Sequence, residues 1–237
     1  MTDKEIIAFQ LGKKQGGGGG SATLIDKNIS SNGTYNAVDD SADGYKKVVV
    51  DVLDSIGACV DKTIVNAVLP TGTSKIGEYS FYCCRLLETV QIPSSVLAIK
   101  GGAFAECDKL KEVVFPPNLA EIGGSAFRRC FSLSSINNFP SGLTSISSQA
   151  FEYCPLVQIE IPSNITHIYS SAFFACDHLE TLKFDGDIII DGGAFRTCSA
   201  LTEIDCTGMT ATNGVANSIL SNSTAFENTN NAPFIFA

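Results

Sequence analysis

The run Ile99-Lys100-Gly101-Gly102-Ala103-Phe104-Ala105-Glu106-Cys107-Asp108-Lys109-Leu110-Lys111-Glu112-Val113-Val114-Phe115-Pro116 decides the fold, because its apolar positions recur along the chain at an almost fixed interval. Phe104 has counterparts at Phe81, Phe127, Phe151, Phe173 and Phe195, spaced 22 to 24 residues apart. Ile99 is matched by Ile76, Ile122, Ile146, Ile168 and Ile190, each five residues before its Phe. Cys107 is matched by Cys84, Cys130, Cys154, Cys176 and Cys198, each three residues after. Every cysteine leads into an alternating segment such as Leu87-x-x-Val90-x-Ile92 or Leu179-x-x-Leu182-x-Phe184. Coincident columns of this kind mark stacked structural repeats, so the chain reads as a solenoid.

Each unit divides physically. In Leu110-x-x-Val113-x-Phe115 apolar and outward positions alternate, the period of a strand with one buried face. Pro93, Pro116, Pro140 and Pro162 end most of these strands, since proline has no N–H to give a ladder. The return leg runs through the Ile column to a small residue and Phe, where the spacing predicts a short helical or 3-10 turn on the convex side. The six Phe rings should stack into an aromatic spine, each burying roughly 150 to 250 Å2. Successive turns lie about 5 Å apart with parallel side-chain vectors, which does not give disulfide geometry. The six column cysteines are therefore expected as a ladder of buried free thiols, with Cys59 and Cys83 the candidates for exposed ones. The residue inserted before Phe139-Pro140 and the one deleted between Cys154 and Leu156 read as loop adjustments that leave the strand columns in place.

The flanks have a different composition. Residues 1–23 form an N-terminal segment with a glycine linker over Gly16–Gly20. Residues 24–55 read as a small β-hairpin unit, with a turn at Ser31-Asn32-Gly33 and strands over Thr34–Val38 and Tyr45–Leu53. The loop Asp39–Gly44 starts like a calcium loop, but Val50 stands where the bidentate Glu is required, so Asx turns are the reading. Residues 56–75 are a degenerate capping turn, 76–206 hold the six units, and 207–237 form a C-terminal cap. The apolar Phe234-Ile235-Phe236 at its end invites strand pairing with another molecule or marks a shortened product.

A formal net charge of −9 argues against nucleic acid and against anionic membrane surfaces as partners. No apolar run is long enough to span a bilayer, and the N-terminus lacks the pattern of a secretory signal. The expected place of action is extracellular or in a virion, otherwise the cytoplasm. His167 and His178 belong to no metal or catalytic spacing, and no nucleophile elbow, Cys-x-x-Cys or phosphate loop is present. No catalytic residue, cofactor site or metal site is expected.

The unit I-x-x-x-A-F-x-x-C-x-x-L-x-x-V-x-I-P resembles the treponemal, or BspA-like, class of leucine-rich repeat over about residues 60 to 207. That resemblance implies a right-handed superhelical solenoid with a parallel β-sheet on its concave face. It also implies a surface or secreted binding protein, as bacterial adhesins of the class are, with no catalytic motif position. The stretch from Asn32-Gly33-Thr34-Tyr35 to Val48-Val49-Val50-Asp51-Val52 resembles a segment common in phage-derived and gut-bacterial proteins, often tail-associated. The function expected from the whole is a non-enzymatic binding or adhesion module at a bacterial or host surface. The alternative is an accessory component of a phage or prophage particle that self-associates through its termini.

The partner surface expected on the concave sheet comprises Glu88, Gln91, Lys111, Glu112, Val114, Asn137, Gln158, Glu160, Glu180, Lys183, Glu203 and Asp205. This face is polar and acidic without an aromatic stripe, so a protein with basic groups suits it better than a glycan. Tyr79, Tyr82, Tyr153, Tyr169 and Phe174 flank the spine and form a second, convex patch if exposed, or else pack between turns.

Overall fold

The computed structural model describes residues 65–69, 73–137, 139–209, 225–229 and 234–236, and the backbone of residues 28–29, 34–36 and 47–48. The N-terminal segment with its glycine linker, the Asp39–Gly44 loop, Cys59, most of the capping turn and residues 210–224 lie outside them.

Each coil lays down two short strands, and like positions of successive coils meet. One set runs Asn66–Val68, Thr89–Gln91, Glu112–Val113, Ser135–Ile136, Gln158–Ile161, Thr181–Phe184 and Glu203–Asp205. Its pairings are parallel and in repeat register, for example Gln158 opposite Thr181 and Thr181 opposite Glu203. The Ile column, expected only as a return leg, is a second parallel sheet. It brings Ile76, Ile99 and Ile122 side by side, and likewise Ile146, Ile168 and Ile190. Identical inward residues at one strand spacing stack without mismatch, which is why the column is invariant. The N-terminal strands continue both sheets: Thr34–Asn36 pairs with Asn66–Val68 and Lys47–Val48 with Lys75–Ile76. Asn28–Ile29 folds back antiparallel on Thr34–Asn36.

The six Phe rings are fully buried and form one column. Neighbouring centroids stand 5.0 to 5.4 Å apart with planes within 8° of parallel. Strand spacing dictates that separation, and an offset stack is the favourable way to fill it. Phe226 adds a seventh ring 5.2 Å beyond Phe195, and Phe234–Ile235 adds a further strand beside Glu203–Asp205. Phe115, Phe139 and Phe184, at the strand ends, meet the spine edge-on at 5.9 to 6.2 Å.

The thiol ladder is buried and unbridged, and the thiols do more than fill space. Cys107, Cys130, Cys154, Cys176 and Cys198 each direct Sγ–H to the carbonyl of the spine Phe one coil earlier, at 3.0 to 3.2 Å. A small side chain with one weak donor fits a site that is apolar except for that oxygen. Cys206 is buried as well, and Cys83 is half-buried with its Sγ 3.3 Å from Glu106 Oε2.

The helical or 3-10 turns expected around each Phe are absent among the described residues; these segments are successions of β-turns. The cause lies in two left-handed residues per coil, two before and two after the Phe, such as Tyr79 (φ 54°) with Cys83 (φ 58°) and Gln149 (φ 59°) with Tyr153 (φ 62°). A positive φ rotates the following peptide, so donors alternate in direction. Tyr82 N–H returns to Tyr79 C=O at 3.0 Å, whereas Phe81 and Cys83 N–H reach the next coil at Ala103 and Ala105 C=O, at 2.7 and 2.8 Å. A helix would spend all these donors within its own coil. Most of these left-handed residues carry a Cβ and pay a conformational cost of about 1 kcal/mol, offset by the inter-coil bonds gained.

The inserted residue leaves the inward columns of its coil in place. Leu133 and Phe139 keep their inward places, and the strand ladder is interrupted both here, between Ser135–Ile136 and Gln158–Ile161, and between Thr89–Gln91 and Glu112–Val113, where no residue is inserted. Asn137 works on the other side, toward the preceding coil: its Oδ1 accepts the Phe115 N–H at 2.7 Å and its Nδ2 donates to the Phe115 carbonyl at 3.4 Å. The side-chain amide thus stands in for a strand peptide.

Candidate partner-binding face

The outward side of the first sheet carries two columns. Thr89, Glu112, Ser135, Gln158, Thr181 and Glu203 form one, and Gln91, Val114, Asn137, Glu160, Lys183 and Asp205 the other, because side chains alternate across a strand. Glu88, Lys111 and Glu180 stand one residue before the strands and flank the first column. All twelve expected residues are exposed or half-buried, and Val114 is 62 % exposed.

Coil stacking then sets the electrostatics. Lys111 Nζ lies 2.7 Å from Glu88 Oε2, and the bond to Lys111 lowers the Glu88 carboxyl below its ordinary range. Lys183 Nζ sits between Glu160 and Asp185, 2.7 Å from each, and its own pKa is raised by those two bonds. Asp205 Oδ1 accepts the Thr207 N–H at 2.8 Å, which lowers its pKa and turns it toward the strand end. Asn137 is engaged with Phe115 as described. Both lysines of the face are therefore already neutralised, while Glu112, Glu180 and Glu203 have no cation against them among the described residues. Opposite charges one repeat period apart, such as Lys183 and Glu160, are visible in the sequence; only the coil register says that they touch.

The second patch divides. Tyr79 and Tyr169 are exposed, while Tyr82, Tyr153 and Phe174 are half-buried and pair edge-on with neighbours across and within coils. Arg129 covers Tyr153 at 5.5 Å, and His167 stacks on Tyr169 at 4.1 Å while its Nε2 lies 3.0 Å from Asp191 Oδ1. Arg85 links to Glu106 and Asp108, and Arg196 to Glu227, one coil on. Tyr82 is pushed up to about 12 by its bond to Cys83, by burial and by Glu106, so the phenol stays neutral. These contacts tie coils together. Among the described residues no three His, Cys, Asp or Glu side chains converge as a metal would require.

The family described as BspA type leucine rich repeat region matches residues 59–138 and 137–235, in six copies. Among solved structures, a leucine-rich repeat protein of T. pallidum is 23 % identical, aligns over 90 % of this chain and 99 % of its own, and has a TM-score of 0.58. A leucine-rich cell surface protein of Faecalibacterium prausnitzii is 22 % identical over 74 % of this chain and 60 % of its own, with a TM-score of 0.37. No curated protein matches the sequence.

Proposed function

This chain belongs to the BspA-type leucine-rich repeat family, and on that premise we propose that it is a non-enzymatic binding module whose strand face holds a protein partner with a basic surface. The observation that carries the reading is the charge arrangement of that face: both lysines are tied to neighbouring carboxylates, and Glu112, Glu180 and Glu203 face solvent. A rigid array with exposed polar columns offers a broad platform, and complementary charge governs encounter rate and partner choice more than raw affinity. A glycan would be expected to stack on exposed rings, which these columns lack.

The test is a binding screen against basic extracellular proteins and a glycan array, repeated at low and high salt. Association with a protein is expected to slow by about tenfold between low and high ionic strength. The double variant Glu112→Lys with Glu203→Lys should remove binding, while Tyr79→Ala should leave it. Capture of glycans alone, or protein binding indifferent to the double variant, would refute the reading.

A further inference from the structure

The third coil differs from the others in what it shows to solvent. From Cys130 to Phe151 the chain carries no charged side chain, and Phe131, 55 % exposed, is the most open phenylalanine among the described residues. It sits at the corner of the turn that Leu133 N–H closes on Cys130 C=O at 2.9 Å, on the rim where the chain enters the strand face. Arg85, Asp108, Asp177 and Ser199 hold this place in four other coils, and the half-buried Pro155 holds it in the fourth. Also in the fourth coil, Val157 is 41 % exposed where the others carry Glu88, Lys111, Ser134, Glu180 and Thr202. Its N–H bonds Ser134 C=O at 3.3 Å, which seats it beside the segment that follows Phe131. Scattered apolar side chains need no explanation. Those of two adjacent coils, at places the repeat otherwise keeps polar, make a patch.

Charge around the patch is one-sided, and it selects the occupant. Residues 65–138 hold seven Lys and Arg against six Asp and Glu, whereas residues 139–209 hold two against nine. On the strand face before the patch, Glu88 is paired with Lys111, and Glu112 follows Lys111 directly. Beyond it, Glu180 and Glu203 of the fifth and sixth coils have no cation against them among the described residues. We propose that Phe131, Pro155 and Val157 seat one apolar side chain of a protein partner, whose Lys or Arg groups run from that anchor along the stack to Glu180 and Glu203. The proposal rests on the strand-face reading and adds to it an anchor and a direction. Coils about 4.8 Å apart put Glu180 about 10 Å and Glu203 about 14 Å from the anchor, the reach of about three to five residues of extended chain. An apolar side chain packed on an exposed ring carries binding energy, while complementary charge orients the encounter.

Selection of a random peptide display library on the full chain is the test. Enriched peptides are expected to share an aliphatic or aromatic residue with two or more Lys or Arg within about five positions on one side of it. A selected peptide made synthetically should lose about tenfold or more in affinity against Phe131→Ser and keep most of it against Phe131→Leu. Both variants should melt with the wild type, since the ring is exposed. Glu180→Lys with Glu203→Lys should abolish binding, whereas Leu97→Ser, which alters an exposed apolar residue of the other sheet, should leave it. Cations placed evenly about the apolar residue, affinity indifferent to Phe131→Ser, a glycan bound through Phe131, or no enrichment over the library background would overturn the proposal. Basic peptides without an apolar residue, lost to Glu112→Lys with Glu203→Lys, would sink the anchor and leave the strand-face reading standing. Enrichment of acidic peptides would sink both.

Discussion

The spine side of a coil and its strand face are built from the same repeat, yet they obey opposite rules. On the spine side every coil presents Ile, Phe and Cys, all buried, with each Phe ring stacked on its neighbour and each thiol from Cys107 onward bonded to the coil before. On the strand face the same register positions carry Gln91, Val114, Asn137, Glu160, Lys183 and Asp205 in turn. Stacking demands sameness where side chains fill a shared interior, because a ring or sulfur of the wrong size leaves a void or a clash in two coils at once. It demands nothing of the outward positions, so they are free to vary with function.

That contrast can be broken at its strongest point first. Phe127→Ala removes a ring flanked by Phe104 and Phe151 and touched edge-on by Phe115, and should cost about 3 to 5 kcal/mol in denaturant unfolding. A smaller loss would mean that the coils slide to close the void.

The thiols sharpen the contrast through pH. Burial and neighbouring ladder thiols hold Cys154 and Cys176 well above the ordinary value of 9.0, and burial pushes Cys206 up to about 11. A raised folded-state pKa means that the native state keeps its proton while the unfolded chain ionises. Their stabilising contribution is full below pH 9 and is lost as pH rises toward the folded values, by up to about 1.4 kcal/mol per thiol per pH unit. Melting temperatures should be insensitive to these groups near neutrality and fall above pH 9.

A third probe tests how closely the backbones approach. A Cβ at Gly123 would lie 2.5 Å from Gly101 N and 2.7 Å from the Lys100 carbonyl carbon. Both are main-chain atoms that cannot swing aside, so Gly123→Ala should cost about 1 to 3 kcal/mol by calorimetry. The smallest effect belongs to the strand face, where Val114→Lys should change stability by less than about 0.5 kcal/mol. A large loss there would show that the face is structural, and the division between the two sides would fail.

Much of this architecture was legible because repetition is a one-dimensional signal. The period placed the Phe, Cys and Ile columns, and alternation separated Val113 from its outward neighbours Glu112 and Val114. The turns around each Phe were misread as helical because left-handed residues are signalled by glycine, and here Tyr79, Cys83, Ser125 and Arg129 adopt that conformation. Nothing in those side chains announces it; the bonds that offset it run to another coil. Asn137 was placed outward, as it is, but its service to Phe115 depends on how its coil settles on the one before. Ala225-Phe226 repeats the small residue and Phe of each unit, so a seventh ring is legible in the sequence, while its partial exposure is not.

The sequence by itself determined the period, the interior columns and the outward list of the strand face, since each follows from which residues recur at one spacing. Tertiary structure decided which carboxylates keep a cation and where each peptide donor points. Those depend on contacts between residues a full coil apart, whose existence is set by how one turn settles on the next.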